Sequence, residues 1–145
     1  MHTELRISET GAVLEPNFHD GYITGIAFER DRIEITLKSV EQHLYKLTLN
    51  EPSAFRVEGE HLGNIVYNLG ILAGRTPPPE LDFSGTWLPD PRTWSQAVAD
   101  GQLTLCWNTA TLGISFAALC RSVDLSFIGT ATSLQPYEPG TDLLE

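Results

Sequence analysis

The chain has 145 residues, 41% of them hydrophobic, enough for one domain with a full core and no covalent staples. Nineteen acids against nine bases give a formal charge of −10, which opposes nucleic acid and anionic membranes and favours a protein partner with a basic face. Cys106 and Cys120 are too few for a disulfide framework and lack zinc spacing, no apolar run approaches the ~20 residues of a membrane span, and the start Met1–Arg6 lacks the basic and apolar regions of a secretory signal. We therefore expect a cytoplasmic protein with reduced thiols.

Residues 1–17 read as irregular or as a single edge strand, because Pro16 cannot sit in a paired central position. Tyr22–Phe28 reads as a strand in which Gly25 suggests a bulge. Glu29–Arg32 turns into Ile33–Lys38, where Ile33, Ile35 and Leu37 alternate with polar residues, and Ser39–His43 turns again into Leu44–Leu49. A period of two buries one face of each strand and wets the other. Asn50–Ser53 breaks the run, Ala54–Glu58 begins another strand with Phe55 and Val57 on one face, and Gly59–Gly63 is a loop. Asn64–Leu72 is apolar on both faces, as expected of a central, doubly covered strand. Short connections make a meander the simplest topology.

The alternation stops at 76–93, a Pro-rich loop holding Pro77-Pro78-Pro79, Pro89 and Pro91 interleaved with Phe83 and Trp87. Asp90 with Pro91 reads as the start of a short helix and Asp100-Gly101 as its end, with Trp94, Ala97 and Val98 as the buried stripe. Strands resume at Leu103–Trp107. Ala110–Cys120 fits a buried strand or a helix, with Gly113 favouring the strand, and Val123, Leu125 and Phe127 alternate through the last strand. Residues 135–145 read as a mobile tail. The expected fold is thus a single mostly-β domain, 1–145, an antiparallel two-sheet sandwich or meander of about seven or eight strands with one short helix.

Candidate chemistry is sparse. The His19-Asp20 doublet matches metal-dependent phosphohydrolases only as a dipeptide, without their helical setting. With His61 it could form a His/Asp metal site; the competing reading is that Asp20-Gly21 builds a turn. Neither cysteine adjoins a histidine in sequence, and Gly59, Gly63, Gly70 and Gly74 are too widely spread for a phosphate loop. No cofactor motif is present. The remaining lead is the aromatic group Phe83, Trp87, Trp94 and Trp107: tryptophan is favoured at binding hot spots, though Trp94 and Trp107 fit a core better than a contact and Trp87 fits either. Phe83, Trp87 and Trp94, rimmed by Asp82 and Asp90, form the expected contact for a partner.

The stretch Phe18-His19-Asp20-Gly21-x-Ile23-x-x-Ile26, followed by Ile33-x-Ile35-x-Leu37 and ending at Gly63-Asn64-Ile65-Val66, resembles a pattern in small β-rich bacterial proteins, some of them immunity proteins of polymorphic-toxin systems. The similar region covers residues 17–72 and consists mostly of core and turn types. The resemblance implies a non-enzymatic protein that neutralises a partner by binding it. Two alternatives remain at this level: a metal-dependent enzyme or metal-binding protein using His19, Asp20 and His61, and a homo-oligomeric module whose exposed strand edge pairs with its copy.

Overall fold

The computed structural model describes residues 3–59, 66–77, 90–110 and 114–130. Alternation in the sequence becomes alternation in burial: β4 (Arg32–Lys38) and β5 (His43–Asn50) bury Ile33, Ile35, Leu37, Tyr45, Leu47 and Leu49 on one face. Two four-stranded antiparallel sheets result. The first has the order β10 (Ser122–Thr130), β5, β4, β3 (Tyr22–Phe28), and the second β6 (Ala54–Gly59), β9 (Ile114–Cys120), β8 (Thr104–Ala110), β7 (Val66–Leu72). Their inner faces share one core, in which Ile35, Leu47 and Leu125 from the first sheet meet Leu69, Cys106 and Phe116 from the second. The mostly-β, two-sheet sandwich expected from the sequence is therefore the fold.

Three expectations need correction. Consecutive strands do meander within each sheet, β3-β4-β5 and β7-β8-β9, while β5 and β10 leave the first sheet together and continue into the second as the pair β6 and β9. Backbone bonds from Arg121 N–H to Asn50 O and from Ser53 N–H to Leu119 O carry this two-stranded ribbon round the corner. The apolar strand β7 is doubly covered but not central: it ends its sheet, and its two faces serve two clusters. Val66, Leu69 and Ile71 join the main core, whereas Leu72 joins a second cluster with Trp94, Val98, Leu105 and Trp107.

The N-terminal segment forms two short strands rather than one, β1 (Arg6–Ile7) and β2 (Val13–Glu15), paired antiparallel. Finally, the helix starts later than Pro91. Thr93 donates both its backbone N–H and its hydroxyl to Asp90 O, which winds Pro91–Thr93 as a 3-10 turn, and α1 (Ser95–Ala99) follows. Gly101, at φ +79°, ends it with its N–H on Val98 O. Trp94 and Val98 face the outer side of the second sheet, so the layers run sheet, sheet, helix. The Pro-rich stretch 78–89, the loop 60–65 and the tail 131–145 lie outside the described residues.

The four sheet edges are treated differently. Thr3 N–H bonds Leu125 O on the outer side of β10, and on β7 Ala12 bridges Gly70 while Ile71 N–H bonds Gly11 O. Among the described residues no backbone group bonds the outer edges of β6 or of β3 beyond Gly21. Strand β6 carries the exposed Arg56, a charge that discourages pairing with another chain; β3 reads Tyr-Ile-Thr-Gly-Ile-Ala-Phe and carries none.

Candidate partner-binding site

Of the residues singled out for a partner, Trp94 and Asp90 fall among those described. Trp94 is 4% exposed, packed in the cluster beneath α1, which removes it from any contact surface and assigns it to the core, as Trp107 also is. Asp90 is exposed, and both its oxygens are engaged with Arg92: Oδ1 accepts the backbone N–H at 3.0 Å and Oδ2 the guanidinium at 2.6 Å. Those bonds hold the Asp90 carboxyl below its ordinary range. Asp82, Phe83 and Trp87 lie outside the described residues.

His19 and Asp20 occupy a surface turn between Phe18 and β3. Gly21 N–H bonds Phe18 O, Asp20 N–H bonds Val66 O, and Asp20 takes the left-handed φ of +65°. His19 Nε2 lies 3.7 Å from Asp20 Oδ2, with both side chains more than half exposed. His61 lies outside the described residues, and among those described no third histidine, cysteine or acid joins the pair. The two free cysteines face the main core, with no exposure. Burial pushes the Cys120 thiol up to about 12 and raises Cys106 well above its usual value, with the neighbouring Cys120 adding to the second shift. Such thiols are poor nucleophiles and poor ligands.

One end of the first sheet, where β4 turns into β5 and β10 finishes, presents apolar side chains to water on a fixed backbone. The turn closes through Ser39 N–H to His43 O, Gln42 N–H to Ser39 O, and His43 N–H to Ser39 Oγ, with Ser39 itself buried. Gln42 takes φ +71°, and the tip of the turn, Val40 and Glu41, is left projecting, with Val40 52% exposed. On the adjacent strand the pairing shifts between Phe127 and Gly129, so Ile128 falls in a bulge and turns outward.

Beneath this end runs a chain of edge-to-face rings: Phe18 on Tyr45 at 5.1 Å, Tyr45 on Phe127 at 5.6 Å, and Phe127 on His43 at 5.8 Å. Burial and the charge of Glu41 both raise the Tyr45 hydroxyl above its ordinary pKa, so it stays neutral in this wall. Glu41, like Glu4 and Glu29, is exposed and has no basic partner among the described residues. The sequence reading identified Ser39–His43 as a turn but not Val40 as a contact, since a lone valine in a turn carries no periodic signal. The Gly129 that follows Ile128 is the mark of the bulge.

No helix among the described residues is long and apolar enough to cross a membrane. Comparison with family models, curated proteins and solved structures finds no match to this chain.

Proposed function

We propose that the chain is a non-catalytic protein-binding domain that engages a partner with a basic face through the Val40–Glu41 tip and the neighbouring Ile128. The observation that carries this reading is the tip itself: an exposed apolar side chain and a carboxylate with no basic partner among the described residues, on a turn locked by three hydrogen bonds. A pre-ordered turn loses little entropy on binding, so its small contact area yields more affinity than a mobile loop would. The charge of −10 supplies the steering, since it attracts a basic protein over a distance and repels acidic competitors. The likeness of residues 17–72 to immunity proteins extends the reading to neutralisation of the bound partner.

The test is capture from native lysate by the tagged protein, at low and at high salt, beside the double variant Val40→Ser, Glu41→Lys. We expect a stoichiometric basic protein that elutes as salt rises and that the variant retains at least about tenfold more weakly, the loss of roughly 1.4 kcal/mol. Equal retention by a variant whose circular dichroism matches the parent would overturn the assignment of this surface.

A further inference from the structure

We propose that the protein forms a symmetric dimer in which β3 pairs antiparallel with β3 of a second copy, joining two four-stranded sheets into one of eight. The interface is separate from the Val40–Glu41 tip. Three observations carry it. The first is the contrast among edges: β7 is covered by N-terminal residues, β10 takes one bond from Thr3 and carries Asp124, β6 carries Arg56, and β3, with one bulge at Thr24, alone is both open beyond Gly21 and uncharged among the described residues. Natural sheets avoid leaving such an edge, because its unpaired N–H and C=O groups template another strand.

The second observation is exposure. Phe28, at the end of β3, is 66% exposed although it pairs in register with the buried Ile33 and so points to the inner face of its sheet. Its ring meets Phe55 edge-on at 5.6 Å, and Phe55 in turn stacks on the fully buried Phe116 at 5.9 Å. The core therefore runs out to the surface along three rings and stops at an uncovered one. Thr24, Gly25 and Ala27 are exposed as well, which leaves room for a neighbouring strand.

The third is charge, and it selects a second copy over any other strand. At the Tyr22 end of β3 the Lys38 ammonium lies 5.3 Å from the centre of the Tyr22 ring, with no carboxylate partner among the described residues. At the Phe28 end Glu29 and Arg30 are exposed, and neither forms an ion pair among the described residues. A twofold axis across β3 lays each end against the opposite end of the copy. Lys38 then faces Glu29, twice. An isologous interface of this kind is self-complementary by construction.

Light scattering over a concentration series, with sedimentation as a second readout, tests the dimer. We expect the parent to associate to a dimer and Ala27→Lys, which sets two ammonium groups across the seam, to weaken it at least about tenfold. Glu29→Lys and Lys38→Glu should each weaken it, and the double swap Glu29→Lys, Lys38→Glu should restore it. Folding of every variant is checked by circular dichroism, and none of them touches the tip, so salt-dependent capture of the basic partner should persist in Ala27→Lys. A parent chain that stays monomeric at the highest concentration, an Ala27→Lys dimer as tight as the parent's, or a double swap that fails to restore association overturns the proposal.

Discussion

The indole of Trp107 rests directly against the backbone of Gly70, its register partner on the neighbouring strand, so closely that a methyl group at Gly70 would overlap Cζ2, Cε2 and Cη2 of the ring. Gly11 approaches the same ring from the N-terminal segment: a Cβ there would stand 2.8 Å from Cη2, at a φ of +96° that disfavours any side chain. Two glycines thus form a slot for one tryptophan, and through it the short N-terminal sheet is fixed to β7. We expect Gly70→Ala to destabilise the fold by about 1–3 kcal/mol, the usual cost of overpacking a filled core, and to lower the midpoint of urea unfolding with little change in slope. A midpoint equal to the parent's would show that the indole can move aside freely.

Trp94 separates a core role from a binding role. It is buried with Val98, Leu105 and Trp107 under α1, so Trp94→Ala should cost about 3–5 kcal/mol of stability, as large-to-small changes in a packed cluster do. At a temperature where the variant remains folded, its capture of a basic partner should equal the parent's. Loss of capture with unchanged stability would return Trp94 to the contact surface.

The fold was legible in the sequence wherever one face of a strand is wet. In β4 and β5 the alternation of Ile33, Ile35 and Leu37, and of Tyr45, Leu47 and Leu49, identified both strands and their buried face within a residue or two of the observed bounds. The Gly25 bulge, the hairpin turns and the end of α1 at Gly101 were readable because local backbone chemistry alone determines them. The position of β7 was not, since an apolar strand looks the same whether a sheet continues beyond it or a helix and an N-terminal segment cover it. The ribbon that passes from one sheet to the other also left no local trace: Asn50–Ser53 reads as an ordinary strand break. The binding surface was the least legible part. Exposure of Val40, Ile128 and Phe28 follows from a turn tip, a bulge and a sheet end, and each exists only once strands are paired.

The two thiols give a chemical readout of core integrity. Cys106 and Cys120 have no exposure, and burial pushes Cys120 from its ordinary 9.0 up to about 12. In the native protein near pH 8 neither should react with an aromatic disulfide reagent faster than the molecule unfolds, whereas both should react at once in denaturant. The sign for stability follows from the raised value. The native state keeps its proton where the unfolded thiol has lost it, so the stabilisation is complete below the unfolded pKa near 9.0 and declines as pH rises towards about 12. Cys120→Ala should flatten that alkaline decline. Rapid labelling of both thiols in folded protein would contradict their placement.

Glu34 provides the opposite sign. It accepts a hydrogen bond from Arg32 Nε at 3.0 Å and lies 3.7 Å from Lys46 Nζ, on the wet face of the first sheet. The Arg32 bond, helped by the charge of Lys46 and opposed by partial burial, holds its carboxyl below the ordinary 4.5. The unfolded chain therefore binds a proton on Glu34 before the native protein does. The stabilisation is complete above about pH 4.5 and is lost as pH falls through the depressed native value. Glu34→Gln should melt slightly below the parent at neutral pH, and the gap should close as the solution is acidified past that point. Salt should narrow the gap at neutral pH too, because the cluster stands partly in solvent. A gap that holds constant into strong acid would mean that the glutamine change acts through packing on Arg32 rather than through charge.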